Sequence, residues 1–259
     1  MTSAALQGRI AIVTGASAGI GEAIARDLAS MGTRVVVNAR RGDRLDALVA
    51  SIAESGGEAT AVVGDCADRA VVGAMFGAAR ERFGADADIV VANAGRGLAG
   101  SVCTSDDSQW EDMVRTNVLG VALLVRAASE HLVAQTPQDE PLARARDIVI
   151  LGSNVGKHIS PFSSMYGSTK FAVGAIAEGA RRELGPRGVR VTLIAPGIVK
   201  SEFQQVAGYS PEWAQQFFTK FEPVLDPSDV SRVVAFVVSQ PAHVHVNDVT
   251  LRPTRQDYP

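Results

Sequence analysis

The sequence has little that would suit a secreted, nucleic-acid-binding or membrane-surface protein. Its 259 residues include two cysteines, Cys66 and Cys103, which are too few for a disulfide framework and fit a reducing cytosol. The formal net charge of −3 argues against binding to nucleic acid or to a membrane surface through bulk positive charge. Met1 to Gly8 lack the basic stretch and apolar core of a signal peptide.

Long hydrophobic runs are also absent. The longest uninterrupted ones, such as Val233–Val238, are far too short to cross a bilayer. Internal repeats, low-complexity tracts and linkers are missing as well, so nothing divides the chain. We therefore expect one domain over residues 1–259 of a soluble, cytoplasmic protein, with neither nucleic acid nor membrane as a partner.

What the chain does have is an alternation of short apolar runs with longer segments of helical period. This alternation is typical of an α/β fold, and predicts a doubly wound parallel sheet of about seven strands with helices on both faces. The predicted strands are Arg9–Val13, Val35–Ala39, Ala59–Val63, Asp88–Ala92, Asp147–Leu151, Arg190–Ala195 and Asp248–Arg252.

The segment from Trp110 has the clearest helical pattern, a single stripe that is apolar except at one position. Asn117 lies in its middle, a polar side chain where a buried apolar one is expected. The charged, proline-bearing stretch 135–146 is predicted to be a surface loop. The stripe consists of Trp110, Met113, Val114, Asn117, Val118, Val121, Leu124, Val125, Ala128 and Leu132.

A second irregular region, Ser201–Phe221, holds six of the fourteen aromatic residues of the chain. That density is too high for a solvated connector. The segment either packs as core or interface, or forms a lid over a ligand. Its aromatic residues are Phe203, Tyr209, Trp213, Phe217, Phe218 and Phe221.

A glycine-rich loop, Thr14–Gly21, follows the first predicted strand and precedes a helix-forming run. Glycines at such a place allow a tight turn and let the backbone approach a pyrophosphate, while the helix N-terminus offers free N–H groups to the anion. The spacing Gly-x-x-x-Gly-x-Gly differs from the common dinucleotide pattern, and a plain tight turn is the alternative.

Tyr166 and Lys170 stand four residues apart, so on a helix they share one face. A phenol has a reference pKa of about 10, and a neighbouring ammonium lowers it by stabilising the phenolate. Such a tyrosine can act as a proton donor and acceptor near neutral pH. The same spacing occurs by chance on many surface helices, so the pair gains weight only from its context.

Taken together, these motifs resemble the short-chain dehydrogenase/reductase family over residues 8–201. The Thr14-Gly15-x-x-x-Gly19-Ile20-Gly21 loop is similar to the cofactor motif of that family. The other matching positions follow in order along the chain: Asn93-Ala94-Gly95 after the fourth strand, Asn117, Ser153, Tyr166, Lys170, Pro196-Gly197 and Ser201. The resemblance implies a Rossmann-type fold and a nicotinamide cofactor.

NADP is the expected cofactor. NAD-specific proteins of such folds place an acidic residue at the end of the second strand, where this chain has Ala39 followed by Arg40 and Arg41. Guanidinium groups pair with a 2′-phosphate, although the two arginines could merely solubilise a loop. The resemblance implies a cofactor site made of Gly15, Ser17, Ala18, Gly19, Ile20, Gly21, Arg40, Arg41, Asp65, Cys66, Asn93, Ala94, Gly95, Tyr166, Lys170, Pro196, Gly197, Val199 and Ser201.

The resemblance also implies the catalytic roles. Tyr166 would protonate the carbonyl oxygen, or deprotonate an alcohol in reverse. Lys170 would lower the pKa of Tyr166 and bond the nicotinamide ribose, and Ser153 would hold the substrate oxygen. Asn117 would bind a water that links Lys170 to solvent. The structural alternatives are a buried Asn117 bonded to backbone and a Ser153 that caps the strand end.

Asp65 resembles the family's acidic residue beside the adenine ring. It could equally cap the next helix, a role for which Asp68 is the better candidate.

The substrate pocket is expected around Ser153, Asn154, Val155, Tyr166 and Phe203, with the segment 201–221 as an apolar lid. Lys157 would add a positive charge near the mouth of the pocket. The stretch Val249–Thr254 is similar to the ends of NADP-dependent 3-hydroxy acid dehydrogenases and of aldehyde reductases such as clavulanic acid dehydrogenase. That similarity favours a polar, small to medium carbonyl substrate, in hydroxy acid or secondary metabolism.

The leading hypothesis is therefore a carbonyl reductase or alcohol dehydrogenase. A non-catalytic NADP-sensing protein of the same fold, and a reductase of imines or double bonds, remain as alternatives. No metal is expected, because two histidines, His243 and His245, are too few ligands for a site. Relatives commonly assemble through the helices that bear Asn117 and Tyr166, so we expect a homotetramer or a dimer.

Overall fold

A computed structural model of the chain describes residues 5–257. The predicted domain also includes residues 1–4 and 258–259, which lie outside the described residues. Seven strands form one sheet in the order β3-β2-β1-β4-β5-β6-β7, with every neighbouring pair parallel. All seven predicted strands are confirmed, each boundary within one residue. They are β1 (Ile10–Thr14), β2 (Arg34–Ala39), β3 (Ala59–Val63), β4 (Ile89–Ala92), β5 (Asp147–Leu151), β6 (Arg190–Pro196) and β7 (Asp248–Leu251).

Helices cover both faces of the sheet, which confirms the doubly wound fold. Alternate residues of each strand point to opposite faces, so neighbouring residues in the chain belong to different cores. Ala11 and Val13 pack with helices α1, α2 and α9, whereas Ile10 and Ile12 pack with α3, α5 and α6. The helices are α1 (Gly19–Ser30), α2 (Gly42–Glu54), α3 (Arg69–Phe83), α4 (Trp110–Val114), α5 (Val121–Ala134), α6 (Ser164–Leu184), α7 (Phe203–Val206), α8 (Pro211–Phe221) and α9 (Pro227–Val238).

The apolar stripe from Trp110 is not one regular α-helix. A π-helical turn, Arg115–Gly120, joins α4 to α5, and one extra residue in that turn shifts the phase of the stripe. Asn117 is completely buried as a result, while Val114 is 39% exposed. The prediction that Val114 belongs to the buried stripe was therefore wrong, because the stripe assumed an unbroken α-helical period.

The continuous helical segment Asp107–Ala134 is long and apolar enough to cross a membrane by length and composition alone. A core helix of a globular protein meets the same criterion, so this is weak evidence. Several of its apolar side chains pack against the sheet in one of the two cores, including Leu124, Ala128 and Leu132.

A buried network of charges lies at the amino ends of the central strands. Asp147 accepts from Arg9 Nη2 at 2.8 Å and from Arg190 Nε and Nη2 at 2.8 and 2.9 Å. Asp88 accepts from Arg9 Nε at 2.9 Å. The four residues are between 1% and 6% exposed. The two arginines also donate to Val238 O, so the network ties β1, β4, β5 and β6 to the end of α9.

The loop 135–146 closes this end of the sheet. Arg144 pairs with Asp88, and Arg146 donates to the carbonyl oxygens of Gln135 and Arg144. These contacts attach the loop to the buried charges. A structural role for the loop follows from them, where the sequence had suggested only a surface connection.

Replacing Asp147 with Asn should strongly destabilise the fold. The variant leaves two buried guanidinium groups short of their carboxylate, a change that typically costs about 3–5 kcal/mol. Glu178 is the matched control, because it accepts from Arg181 and Arg182 at 2.9 and 2.5 Å on an exposed surface. Its change to Gln should cost far less, because exposed ion pairs contribute little to stability.

Urea unfolding at one fixed protein concentration, followed by circular dichroism, measures both free energies of unfolding. A loss in Asp147→Asn no larger than that in Glu178→Gln would show that the buried network does not hold the sheet together.

Candidate active site

A cavity of about 810 Å³ opens at the carboxyl ends of the parallel strands. Ligands of open α/β sheets bind at this edge, between two neighbouring strands whose following connections run to opposite faces of the sheet. All but two of the predicted site residues line it. Those that do are Gly15, Ser17, Ala18, Gly19, Ile20, Arg40, Arg41, Asp65, Cys66, Asn93, Ala94, Gly95, Ser153, Asn154, Val155, Tyr166, Lys170, Pro196, Gly197, Val199, Ser201 and Phe203.

The two exceptions are Gly21 and Asn117, which lie behind the cavity wall. At Gly21 a Cβ atom would stand 2.3 Å from the carbonyl oxygen of Gly15, so only glycine lets α1 approach the loop this closely. Gly15 has a φ of +66° and would place a Cβ 2.8 Å from Ala94 Cα. The loop is thus a tight turn in close contact with the end of β4. Both interpretations of the glycines, a phosphate-binding loop and a plain turn, required such a turn.

Asn93 holds the glycine loop from the side. Its Nδ2 donates to Thr14 O at 2.9 Å and to Gly15 O at 3.3 Å. In return Thr14 Oγ1 accepts from the N–H groups of Asn93 and Ala94 at 3.1 and 3.2 Å. The start of α1 lines the cavity, and no side chain caps its first N–H groups, because its N-cap, Ala18, has only a methyl side chain.

Arg40 and Arg41, the two arginines after β2, lie beside different parts of the cavity wall. Arg41 Nε and Nη2 donate to Ser17 Oγ at 3.1 and 2.9 Å, so this guanidinium stands beside the glycine loop. Arg40 is on the side of Cys66, whose thiol pKa it lowers slightly. Burial dominates there and raises the pKa of Cys66 to about 11, so the thiol stays neutral at physiological pH.

Asp65 has structural partners as well as a place at the cavity. Its Oδ1 accepts from Ala67 N at 2.9 Å, and its Oδ2 pairs with Arg115 Nε at 3.2 Å. The N-cap of α3 is Asp68, whose side chain accepts from Ala70 N. Asp68 therefore fills the capping role, as the sequence had suggested.

Tyr166 and Lys170 share one face of α6, with Lys170 Nζ 6.0 Å from the centre of the tyrosine ring. The ammonium does not bond the phenol; it donates to Leu151 O at 2.8 Å. Burial lowers the pKa of Lys170 to about 8. Burial also raises the pKa of Tyr166, and a hydrogen bond with Ser153 offsets only part of that rise.

The expectation that Lys170 lowers the pKa of Tyr166 therefore stays a prediction. Desolvation is the largest influence on the phenol, and Lys170 is not among the groups that shift it. The phenol is accordingly protonated at neutral pH, which is the form that can donate a proton.

Ser153 fills the structural role that the sequence left open and lies near Tyr166. Its Oγ donates to Asn154 Oδ1 at 3.3 Å, and its influence on the pKa of Tyr166 places the two hydroxyls near each other at one end of the cavity. The same oxygen accepts from Val155 N at 3.4 Å and so caps the short 3₁₀ turn Asn154–Gly156.

Asn117 bonds the chain rather than facing the cavity. Its Oδ1 accepts from Arg96 N at 2.8 Å, and its Nδ2 donates to Arg96 O at 2.8 Å and to Thr169 Oγ1 at 3.0 Å. A Cβ at Gly95 would lie 3.3 Å from Asn117 Oδ1 and 3.6 Å from Lys170 Nζ. The amide thus fixes the strand-end loop beside Lys170, the buried alternative named above.

The segment 201–221 lies along the cavity with its aromatic side chains stacked in a row. Tyr209 stacks on Trp213 at a ring separation of 4.2 Å, and Trp213 on Phe217 at 4.7 Å. Phe203 lies 5.4 Å from the ring of Tyr166. Trp213 remains 37% exposed although it lines the cavity. The row therefore forms an apolar wall open to solvent.

Three features of the site escaped the sequence analysis or contradict it. Lys157 pairs with Asp248 and donates to Thr250 Oγ1, so it is not the expected charge at the pocket mouth. Gln256 Oε1 accepts from Ile198 N at 2.9 Å beside the cavity, a contact between distant parts of the chain. Glu202 also lines the cavity; its position directly after Ser201 was the available signal.

Comparison with known proteins agrees with this geometry. A family model described as short chain dehydrogenase matches residues 9–210. The human protein named dehydrogenase/reductase SDR family member 11 is 33% identical over 255 residues, covering 96% of this chain and 95% of its own length.

Solved structures show the same fold over nearly the whole chain. The closed form of serine dehydrogenase complexed with NADP⁺ has a TM-score of 0.85 at 30% identity, covering 96% of each chain. An alcohol dehydrogenase from the archaeon Thermococcus sibiricus, complexed with 5-hydroxy-NADP, has a TM-score of 0.81 at 28% identity, covering 97% of this chain and 99% of that one. This chain therefore belongs to the short-chain dehydrogenase/reductase family of oxidoreductases.

Proposed function

We propose that the protein transfers a hydride between NADP(H) and a small to medium carbonyl or alcohol, with Tyr166 as the general acid and base. One observation carries the proposal. One cavity has the side chains of Ser153 and Tyr166 in its wall at one end and the glycine loop with Arg41 at the other. An extended dinucleotide needs such an arrangement, since its phosphates and its reactive ring bind far apart.

The residues present fit the cofactor. Glycine is required at positions 15 and 21 by the close approaches described above, which clears backbone N–H groups for a pyrophosphate. Arg41 supplies a guanidinium beside that loop, suited to a 2′-phosphate, and the end of β2 has Ala39 instead of an acid. These features support NADP over NAD.

The chain's own groups would handle the proton. When bound, the cofactor would supply the hydride for the carbonyl carbon, and the phenol of Tyr166 would give its proton to the carbonyl oxygen. Ser153 can donate a hydrogen bond to that oxygen as negative charge develops there. Lys170, with a pKa of about 8, can carry a proton or release it near neutral pH and so can replenish the phenol.

The substrate would be a small to medium carbonyl compound held against a largely apolar wall with a few polar contacts. Phe203, Tyr209, Trp213 and Phe217 supply the wall, and the proposed lid is the segment 201–221. Asn154 and Val155 stand opposite, beside Ser153. A role in hydroxy acid or secondary metabolism, in the cytoplasm, remains the proposal that the C-terminal similarity and the two free cysteines support.

We also propose a homo-oligomer built on the helices next to the site. Leu119 in the π-helical turn is 45% exposed, and Phe171 on α6 is 44% exposed. Large apolar side chains exposed on adjoining helices mark an interaction surface. A homotetramer or a dimer would bury them.

Replacing Tyr166 with Phe should reduce kcat for carbonyl reduction about 10²- to 10⁴-fold, the usual contribution of a general acid. NADPH oxidation measured against a panel of aldehydes and ketones gives the rate. Tyr209→Phe is the contrast, because it removes another phenolic hydroxyl in the same cavity and should change KM more than kcat.

Undiminished turnover by the Tyr166→Phe variant would refute the acid role. The urea unfolding curve of that variant should match that of the native chain, which separates a lost proton donor from a damaged fold.

Replacing Arg41 with Ala should weaken NADP binding about 10- to 100-fold, the loss expected for charge-assisted hydrogen bonds. NAD binding should change much less, because it lacks the 2′-phosphate. Combining the change with Arg40→Ala tests both arginines together. Titration calorimetry with each nucleotide measures the dissociation constants, with Arg232→Ala on α9 as a control for charge alone. Equal losses for NADP and NAD would contradict the assignment.

Replacing Phe171 with Glu should reduce the oligomer to smaller species, since a buried carboxylate without a partner opposes assembly. Size-exclusion chromatography with light scattering gives the mass of each form. If the native chain already runs as a monomer of 27.1 kDa, the proposed assembly is wrong.

A further inference from the structure

Arg41, at the cavity, and Arg44 beside it form what we call the arginine corner. Both already bind a carboxylate of this chain. Glu202 Oε2 accepts from Arg41 Nη1 at 3.1 Å. Arg44 Nη1 donates to both oxygens of the same carboxylate, at 2.8 and 2.9 Å. Hydrogen bonds from Arg44 and then from Arg41 hold the pKa of Glu202 below its usual value, so the group is ionised. Two guanidiniums thus converge on one carboxylate beside Ser17.

A 2′-phosphate bound by Arg41 would compete for these donors. It carries up to two negative charges, and Glu202 stands within hydrogen-bonding distance of the arginine it needs. Like charges at that separation repel each other. The carboxylate therefore has to leave Arg41 before the phosphate can take the full guanidinium.

Leaving is easy because the contact is exposed. The side chains of Arg41, Arg44 and Glu202 are 43%, 42% and 45% exposed. Ion pairs at this exposure contribute little to stability. The corner thus has a weak internal anion that a stronger external one can replace.

Glu202 also connects the cofactor corner with the other end of the cavity. The next residue, Phe203, begins α7 and has its ring 5.4 Å from that of Tyr166. The far end of α7 is fixed, because Ala99 N donates to Ala207 O at 2.8 Å. The contacts of Glu202 with Arg41 and Arg44 therefore join the near end of α7 to the start of α2.

We infer that Glu202 is a specificity-determining residue that holds α7 against the arginine corner in the cofactor-free chain and is displaced by the 2′-phosphate of NADP. The carboxylate acts as an internal competitor for Arg41 and Arg44, and its release frees the start of the segment 201–221. The inference rests on the proposed use of NADP. It adds that an acid distant from β2 in the sequence adjusts the affinity for the 2′-phosphate.

The test compares adenosine 2′,5′-bisphosphate with 5′-AMP, which lacks the 2′-phosphate, as ligands of the whole protein. Glu202→Gln keeps the size of the side chain and removes its charge. It should bind the bisphosphate about three- to tenfold more tightly than the native chain, with 5′-AMP changed less than twofold. Glu178→Gln is the matched control, since Glu178 also pairs with two arginines but on the surface of α6. It should leave both affinities unchanged.

Titration calorimetry at low and at high salt gives the dissociation constants. The advantage of Glu202→Gln should shrink at high salt, because repulsion between exposed charges is screened. Hydrogen exchange of residues 202–207 without ligand should be faster in Glu202→Gln than in the native chain or in the control.

Equal bisphosphate affinities in Glu202→Gln and the native chain would overturn the inference and leave the NADP assignment intact. Weaker binding by Glu202→Gln would also overturn it, because the carboxylate would then be positioning the arginines. If neither form distinguishes the bisphosphate from 5′-AMP, the use of NADP fails together with the inference. The role of Tyr166 is tested separately by turnover, so failure of that role is distinguishable from each of these results.

Discussion

The site depends on one set of hydrogen bonds, those between the ends of β1 and β4. Thr14 and Asn93 bond each other's backbone through their side chains. These strands pair in parallel, Val13 opposite Val91, so both end at the same edge of the sheet. The connections after them run to opposite faces, which opens the cavity between them. These hydrogen bonds fix the glycine loop against the end of β4. They also hold the start of the loop that contains Gly95 and Arg96.

Charges at the two ends of the sheet have different consequences. At the amino ends, four charged residues are buried and bonded to one another: Arg9, Asp88, Asp147 and Arg190. Removing one of them leaves its partners short of an opposite charge in a low dielectric. At the carboxyl ends, Arg41 and Glu202 are nearly half exposed and can change partners at little cost. The first arrangement makes a rigid platform. The second leaves the binding edge adjustable, which a site that must admit and release a large anionic cofactor requires.

The sequence predicted the strands, and nearly all of the site residues that it predicted line the cavity, because both depend on local pattern. Gly15, Ser153 and Tyr166 stand at or soon after strand ends, and parallel strands bring such positions to one edge. What it could not predict depends on distant packing. The pKa of Tyr166 is set by the side chains that bury it, and Lys157 finds its partner Asp248 on another strand. The π-helical turn at Asn117 breaks the very periodicity used to recognise the helix.

The position of Glu202 has a consequence for how cofactor choice and substrate binding are related. In proteins of this fold that select NAD, the acid follows β2 and is part of the same loop as the ribose site. Here an acid approaches the same corner from the segment after β6, which also contributes Phe203 to the substrate end. A carboxylate fixed on β2 could affect only the cofactor. A carboxylate at the start of α7 contacts Arg41 and adjoins Phe203, so the displacement inferred above would link the two.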